Sequence, residues 1–168
     1  MLARLASGRP VHSALAHERF EQAGPRNTGY EQHIAATGRV PTRHNAHDLF
    51  NGLVWLRSPG FKAALNRAHI AAPPAPPGRR GPLRDALTLL DESGLLLAVP
   101  QPLRQALNEQ DWTPLFVTQR ALWRQARALV VGHALLEKLL APRPPLCARV
   151  LFVADIEAEL VEYGVLTR

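Results

Sequence analysis

Residues 41–56 read Pro41-Thr42-Arg43-His44-Asn45-Ala46-His47-Asp48-Leu49-Phe50-Asn51-Gly52-Leu53-Val54-Trp55-Leu56, and this stretch decides how the rest of the chain is read. At about 100° per residue, Leu49, Phe50, Leu53, Val54 and Leu56 cover one side of a helix running from Asn45 to Arg57. His44, His47, Asp48, Asn51 and Trp55 fall within roughly a third of a turn on the other side. One face is apolar; the other carries imidazole, carboxylate and amide groups. A large aromatic residue inside that polar stripe predicts that the stripe covers something rather than facing only water.

The elements on either side follow from capping and proline chemistry. Ser58-Pro59 reads as an N-cap followed by proline at the first helical position, which predicts a second helix from Pro59 to about His69. Lys62, Asn66 and His69 align along it at four- and three-residue spacing. Upstream, Tyr30 to Ala36 forms a short helix stopped by Gly38 and the extended Val40-Pro41 pair. Residues 1–28 lack sustained periodicity and end in the loop cluster Gly24-Pro25-Arg26-Asn27, so they are expected to be an irregular arm on a single α+β domain spanning 29–168.

Downstream, residues 71–82 hold five prolines and predict an extended, partly stiff connector. Asp85 to Leu90 and Leu95 to Val99 flank Asp91-Glu92-Ser93-Gly94, a pattern that predicts a β-hairpin, although the same leucines also suit a helix. Thr113-Pro114 starts a helix reaching about Arg127. Ala128 to Gly132 reads as a buried strand before a helix from His133 to Leu140, the alternative being one long helix through Gly132. Ala148 to Val153 reads as a last strand before a helix from Asp155 to Glu162. The fold class is α+β: a helical amino-terminal half, with a hairpin and a small mixed sheet in the carboxy-terminal half.

Composition narrows the function classes. The net charge of +6 comes almost wholly from arginine, since Lys62 and Lys138 are the two lysines. Arg, Ala, Pro and Leu dominate as they do in proteins of GC-rich genomes, so the charge alone is weak support for a nucleic-acid partner. Arg120, Trp123, Arg124 and Arg127 stand at helical spacing and read first as a solvated face with Trp123 turned inward. No apolar run approaches the roughly 20 residues that cross a bilayer, so a membrane-spanning helix is not expected. Cys147 is the one cysteine, which excludes an intrachain disulfide and fits a reducing cytoplasm. The first 17 residues carry Arg4 and Arg9 without an acidic residue before Glu18, but no secretory apolar core; an organellar presequence stays open. No feature defines an oligomeric state.

The run from Pro41 to Leu56 is distinctive, as is Pro59 followed by Lys62, Leu65, Asn66 and His69. With Arg80-Gly81-Pro82-Leu83-Arg84-Asp85-Ala86-Leu87-Thr88-Leu89-Leu90-Asp91-Glu92-Ser93-Gly94 and Gly132-His133-Ala134-Leu135-Leu136-Glu137-Lys138-Leu139-Leu140, it resembles the bacterial family known as domain of unknown function 3025, over roughly Gly29 to Leu140. The resemblance implies that these polar motifs are family hallmarks and that members carry a longer amino-terminal region. It implies no activity, so chemistry rests on the residues.

The candidate metal set is His47, Asp48 and His69, a histidine–carboxylate group suited to zinc, manganese or iron that would leave a position for a water made nucleophilic near neutral pH. Asp85 would be the base or a further ligand and Arg84 the contact for an anionic, phosphoester-type substrate, which describes a metal-dependent hydrolase. Arg79 and Arg80 could clamp the same kind of anion. Arg43, His44, Asn51, Trp55, Lys62, Asn66, Asp91, His133 and Glu137 are further cleft candidates, with Gly132-His133 at a helix start and Glu137 one turn on. The His47-Asp48 pair is similar to the metal-binding dyad of the helical HD phosphohydrolases, but adjacent side chains diverge by about 100°. A purely structural reading stands beside this one, in which His47 bonds to a carbonyl, Asp48 serves the helix amino end and Asn51 caps a turn. The alternative function is a non-enzymatic Arg-rich module binding nucleic acid or a protein. Walker and dinucleotide glycine motifs, a serine elbow and EF-hand spacing are absent, which disfavours those chemistries.

Overall fold

The computed structural model describes residues 8–24, 29–76 and 81–157. In chain order these form α1 (Val11–Ala14), β1 (Phe20–Gln22), α2 (Tyr30–Thr37), β2 (Val40–Thr42), α3 (Ala46–Arg57), α4 (Pro59–Ala71), α5 (Pro82–Ser93), β3 (Gly94–Ala98), α6 (Gln101–Glu109), β4 (Arg127–Val130), α7 (His133–Leu139) and β5 (Arg149–Phe152). A single π turn at Pro114–Thr118 and a 3₁₀ segment at Arg120–Gln125 separate α6 from β4. The chain is α+β, with a two-stranded parallel sheet β1-β2 and a three-stranded mixed sheet ordered β4-β3-β5. In the latter, β3 runs antiparallel to β4, with Leu95 opposite Val130, and parallel to β5, with Leu97 opposite Phe152.

The polar-stripe helix forms where its pattern predicts. Asn45 is extended and its side chain accepts the Asp48 amide at 2.7 Å, satisfying one of the first-turn N–H groups that a helix leaves unpaired. Pro59 opens α4 as the first helical residue. Three apolar clusters hold the elements together. Val11, Leu15, Phe20, Ile34, Val40 and Trp55 form the first; Phe61, Leu65, Leu96 and Val131 the second; Leu103, Ala106 and Leu115 the third.

Three expectations are corrected. The hairpin is replaced by a helix entering a strand: Pro82 begins α5 at Gly81, whose φ of +81° suits glycine, and the chain passes directly from Ser93 into β3 at Gly94. Leu87 and Leu90, at helical spacing, pack on the second cluster, so tertiary burial selects the helix. The helix expected from Thr113 is broken because the Trp123 indole donates to the Leu115 carbonyl at 2.7 Å, while the Gln119 amide turns to Pro114 at 3.0 Å. The amino-terminal stretch is ordered within 8–24: Val11, Leu15 and Phe20 enter the first core, and Phe20 and Gln22 pair with Val40 and Thr42. A four-residue helix and a three-residue strand are too short to show periodicity, and their order comes from the partner they pack on. Of Ala128–Gly132, read as a buried strand, Ala128 to Val130 take the strand alternative within β4 (Arg127–Val130), which is an edge strand, exposed to half-buried rather than buried, and ends before Val131 and Gly132. Arg79 and Arg80 lie outside the described residues, as does most of the helix expected from Asp155 to Glu162.

Candidate functional site

Helices α2, α3 and α5, the start of α7 and the β1-β2 pair enclose a cleft of about 750 Å³. Its walls include Tyr30, Glu31 and His33 from α2, His47, Asp48 and Asn51 from α3, Arg84, Thr88, Asp91 and Glu92 from α5, and His133, with Glu21, Arg43 and His69 completing the polar lining. The stripe of α3 therefore faces inward: Asp48, Asn51 and Trp55 are buried, whereas Leu56 on the apolar side is 39% exposed.

Adjacent residues on α3 diverge into separate networks. The Asp48 carboxylate accepts the Arg43 backbone N–H at 2.6 Å, Nε at 3.1 Å and Nη2 at 2.8 Å. Burial alone would raise its pKa, but the Arg43 hydrogen bonds and charge outweigh burial and hold it below the ordinary carboxylate value. His47 points the other way, its Nδ1 3.6 Å from Glu137 Oε2 and its Nε2 3.0 Å from His133 Nε2.

His133 is 4% exposed, and its Nδ1 lies 2.8 Å from the Asp91 carbonyl oxygen. A carbonyl only accepts, so Nδ1 carries the hydrogen and the neutral ring keeps a bare lone pair on Nε2. Burial depresses the His133 pKa, with the Lys62 and His47 charges adding to it against the opposing Asp91 carboxylate, which keeps the ring neutral at pH 7. Asp91 is itself anchored: its Oδ1 accepts from Lys62, which is 4% exposed and lies 5.7 Å from the Trp55 ring centroid. Replacing Lys62 by methionine leaves the Asp91 carboxylate without its cation; the expected destabilisation in urea unfolding is about 3 kcal/mol, largely restored by adding Asp91→Asn. Equal stability of Lys62→Met and the parent chain would show that the pair contributes nothing.

Asn51 donates to the Tyr30 hydroxyl at 2.9 Å, and its buried side-chain Oδ1 has no partner among the described residues. The Tyr30 phenol is pushed above its ordinary pKa, chiefly by burial. Asn66 donates to the Glu31 carbonyl and carboxylate at 2.9 and 2.6 Å, tying α4 to α2.

Of the residues singled out from sequence, the cleft gathers Arg43, His47, Asp48, Asn51, His69, Arg84, Asp91 and His133. Lys62, Trp55, Asn66 and Glu137 stand behind its wall as supports. His44 and Asp85 are exposed and outside the lining. Among the described residues, the donor atoms that converge within 4.8 Å are those of His47, Glu92 and His133, a set that includes neither Asp48 nor His69. The hairpin expectation places Glu92 in a turn; with the segment helical, Arg84, Thr88 and Glu92 recur every four residues along one face. Glu21, Tyr30, Glu31 and His33 carry no motif and reach the cleft through tertiary packing alone.

An α+β chain with a histidine–carboxylate cleft closed by helices is the class that fold and site define. The chain belongs to the family of proteins of unknown function DUF3025, whose profile matches residues 19–164. No curated protein and no solved structure matches it. Among the described residues, no helix is long and apolar enough to cross a membrane.

Proposed function

We propose that the cleft binds one divalent metal ion (zinc, manganese or iron) on His47 Nε2, His133 Nε2 and the Glu92 carboxylate, and that the protein is a metal-dependent hydrolase of an anionic substrate such as a phosphoester. The observation that carries this reading is the 3.0 Å approach of the two Nε2 atoms, each ring having its Nδ1 turned toward an oxygen acceptor. Because His133 Nδ1 carries the hydrogen, its Nε2 lone pair faces His47 Nε2, and either an N–H of His47 or a bound cation makes that approach favourable. Metal–nitrogen bonds of about 2.0–2.1 Å at a tetrahedral angle place two ligand nitrogens about 3.3 Å apart, close to this spacing. The acceptors behind the rings, the Asp91 carbonyl and Glu137, match the outer partners that orient metal-binding histidines.

Charge supports the same reading. Of the lining carboxylates, Asp48 is paired with Arg43, Asp91 with Lys62 and Glu21 with His33 and Arg39, so among the described residues Glu31 and Glu92 are left without a cation, Glu92 beside the two histidines. A bound metal supplies an acidified water as nucleophile and polarises the substrate oxygen. Arg84 would contact the anionic part of the substrate, and the exposed Asp85 is left without a place at the reacting centre.

Metal content measured by mass spectrometry on chelator-free protein tests the proposal. About one equivalent is expected, lost in His47→Ala and retained in Asp48→Asn and His69→Ala, all checked for folding. Loss in Asp48→Asn and His69→Ala instead would transfer the site to those residues. Absence of metal after reconstitution would overturn the hydrolase, and salt-sensitive polyanion binding would then favour the Arg-rich binding module.

A further inference from the structure

Arginines in the cleft are not equivalent. Arg43 is committed to Asp48, but Arg84 makes no ion pair among the described residues. Its Nη2 lies 3.5 Å from the Ala72 carbonyl oxygen, and its buried Nε has no acceptor among the described residues. A guanidinium that lines a cleft and is paired with no carboxylate among the described residues is a prepared contact for an oxyanion.

Its position along the cleft follows from helix geometry. Helices α4 and α5 are antiparallel neighbours: Lys62 near the start of α4 meets Asp91 near the end of α5, and Ala72, just past the end of α4, meets Arg84 near the start of α5. His69, in the last turn of α4, lines the cleft as well. Eight residues separate Arg84 from Glu92, which at 1.5 Å per residue is about 12 Å along the helix. The contact to Ala72 holds the Arg84 side chain toward the end away from the His47–His133 pair. A cavity of about 750 Å³ accommodates a ligand long enough to touch both ends.

We propose that Arg84 and His69 form a second, anion-binding subsite remote from the metal position, so that the substrate is an extended molecule with a terminal phosphate or carboxylate about 12 Å from the bond that is cleaved. The proposal rests on the metal reading for its catalytic end and is independent of it for its anionic end. The anion held by Arg84 is then a recognition handle rather than the group attacked.

The test titrates the chelator-treated full chain with inorganic phosphate and, separately, with acetate, following amide shifts by NMR. Phosphate binding in the parent chain and in His47→Ala with the same affinity, weakened at least about tenfold in Arg84→Gln, is the expected result. Acetate showing the stronger Arg84 dependence would assign the handle as a carboxylate, and phosphate as a phosphoryl group. Undiminished binding of both anions in Arg84→Gln, or no binding of either in the parent chain, overturns the subsite. Manganese-loaded protein then places the anion: broadening of the phosphorus (or acetate carbon) resonance should report a separation of about 10 Å or more from the ion. A directly coordinated anion would overturn the two-ended substrate, whereas failure to bind manganese would remove the metal reading and leave the Arg84 titration standing.

Discussion

Replacing His133 by asparagine is expected to lower zinc affinity by at least about 100-fold in competition against a chromophoric chelator, while leaving the chain folded. Loss of an outer partner of a metal ligand alone costs about 10- to 100-fold, and loss of a ligand should cost at least as much. Asparagine keeps an N–H that can reach the Asp91 carbonyl, the role of Nδ1, and removes only the lone pair opposite His47. The substitution thereby separates metal binding from the structural hydrogen bond. Zinc affinity within about threefold of the parent would remove His133 from the ligand set. The same residue sets a pH dependence. Its folded pKa is lowered from the ordinary value of 6.5, so the unfolded chain binds more protons than the native one in the window below that value. Stability from this group is complete above about pH 6.5 and declines as pH falls from there through the depressed folded value. The decline should be visible in urea midpoints of the metal-free parent and smaller in His133→Asn; identical pH profiles would show that His133 does not govern it.

Gly132→Ala is expected to cost about 4 kcal/mol or more, or to prevent folding. A methyl group there would lie 2.3 Å from the Gly94 amide nitrogen, 2.6 Å from the Glu92 carbonyl oxygen and 2.6 Å from the Ser93 carbonyl carbon. All three are backbone atoms at the junction of α5 and β3, so no side-chain rotation relieves the contact. The backbone at Gly132 is itself unstrained, with φ of −76°, and its amide donates to Gly94 at 2.9 Å. The close approach brings the first residue of α7 against the end of α5, which is how His133 reaches Asp91. Gly24→Ala is the control: nothing lies within 4 Å of a methyl there, and a change under about 0.5 kcal/mol is expected. Equal urea midpoints for Gly132→Ala and the parent would show that the two backbones separate readily.

Much of the site was legible because helical spacing is local. Pro59 as first helical residue follows from its fixed φ, and His47, Asp48, Asn51 and Trp55 on one face follow from a 3.6-residue period that tertiary contacts left in place, whereas Ser58, read as the N-cap of α4, makes no side-chain cap hydrogen bond. Which of these side chains converge was not legible. The helical period already separates His47 from Asp48 by about 100°, but it does not show that Asp48 is taken by Arg43 five residues away in the chain or that His47 turns to His133. Glu92 was hidden by the hairpin expectation, since the leucines from Leu83 to Leu97 satisfy either a strand or a helix until something buries them.

By itself, the amino-acid sequence determined the helices from Tyr30 to Ala71, the proline that opens α4, the β5 strand, the α+β class and the family hallmarks, because each depends on neighbours within a few residues. Tertiary structure alone decided that α5 is a helix, that Val11, Leu15 and Phe20 belong to the core, and that His47 meets His133 across 86 residues of chain. Those outcomes depend on which surfaces exclude water from one another and on a glycine that lets two backbones touch, and neither quantity is encoded in the spacing of residues along a single segment.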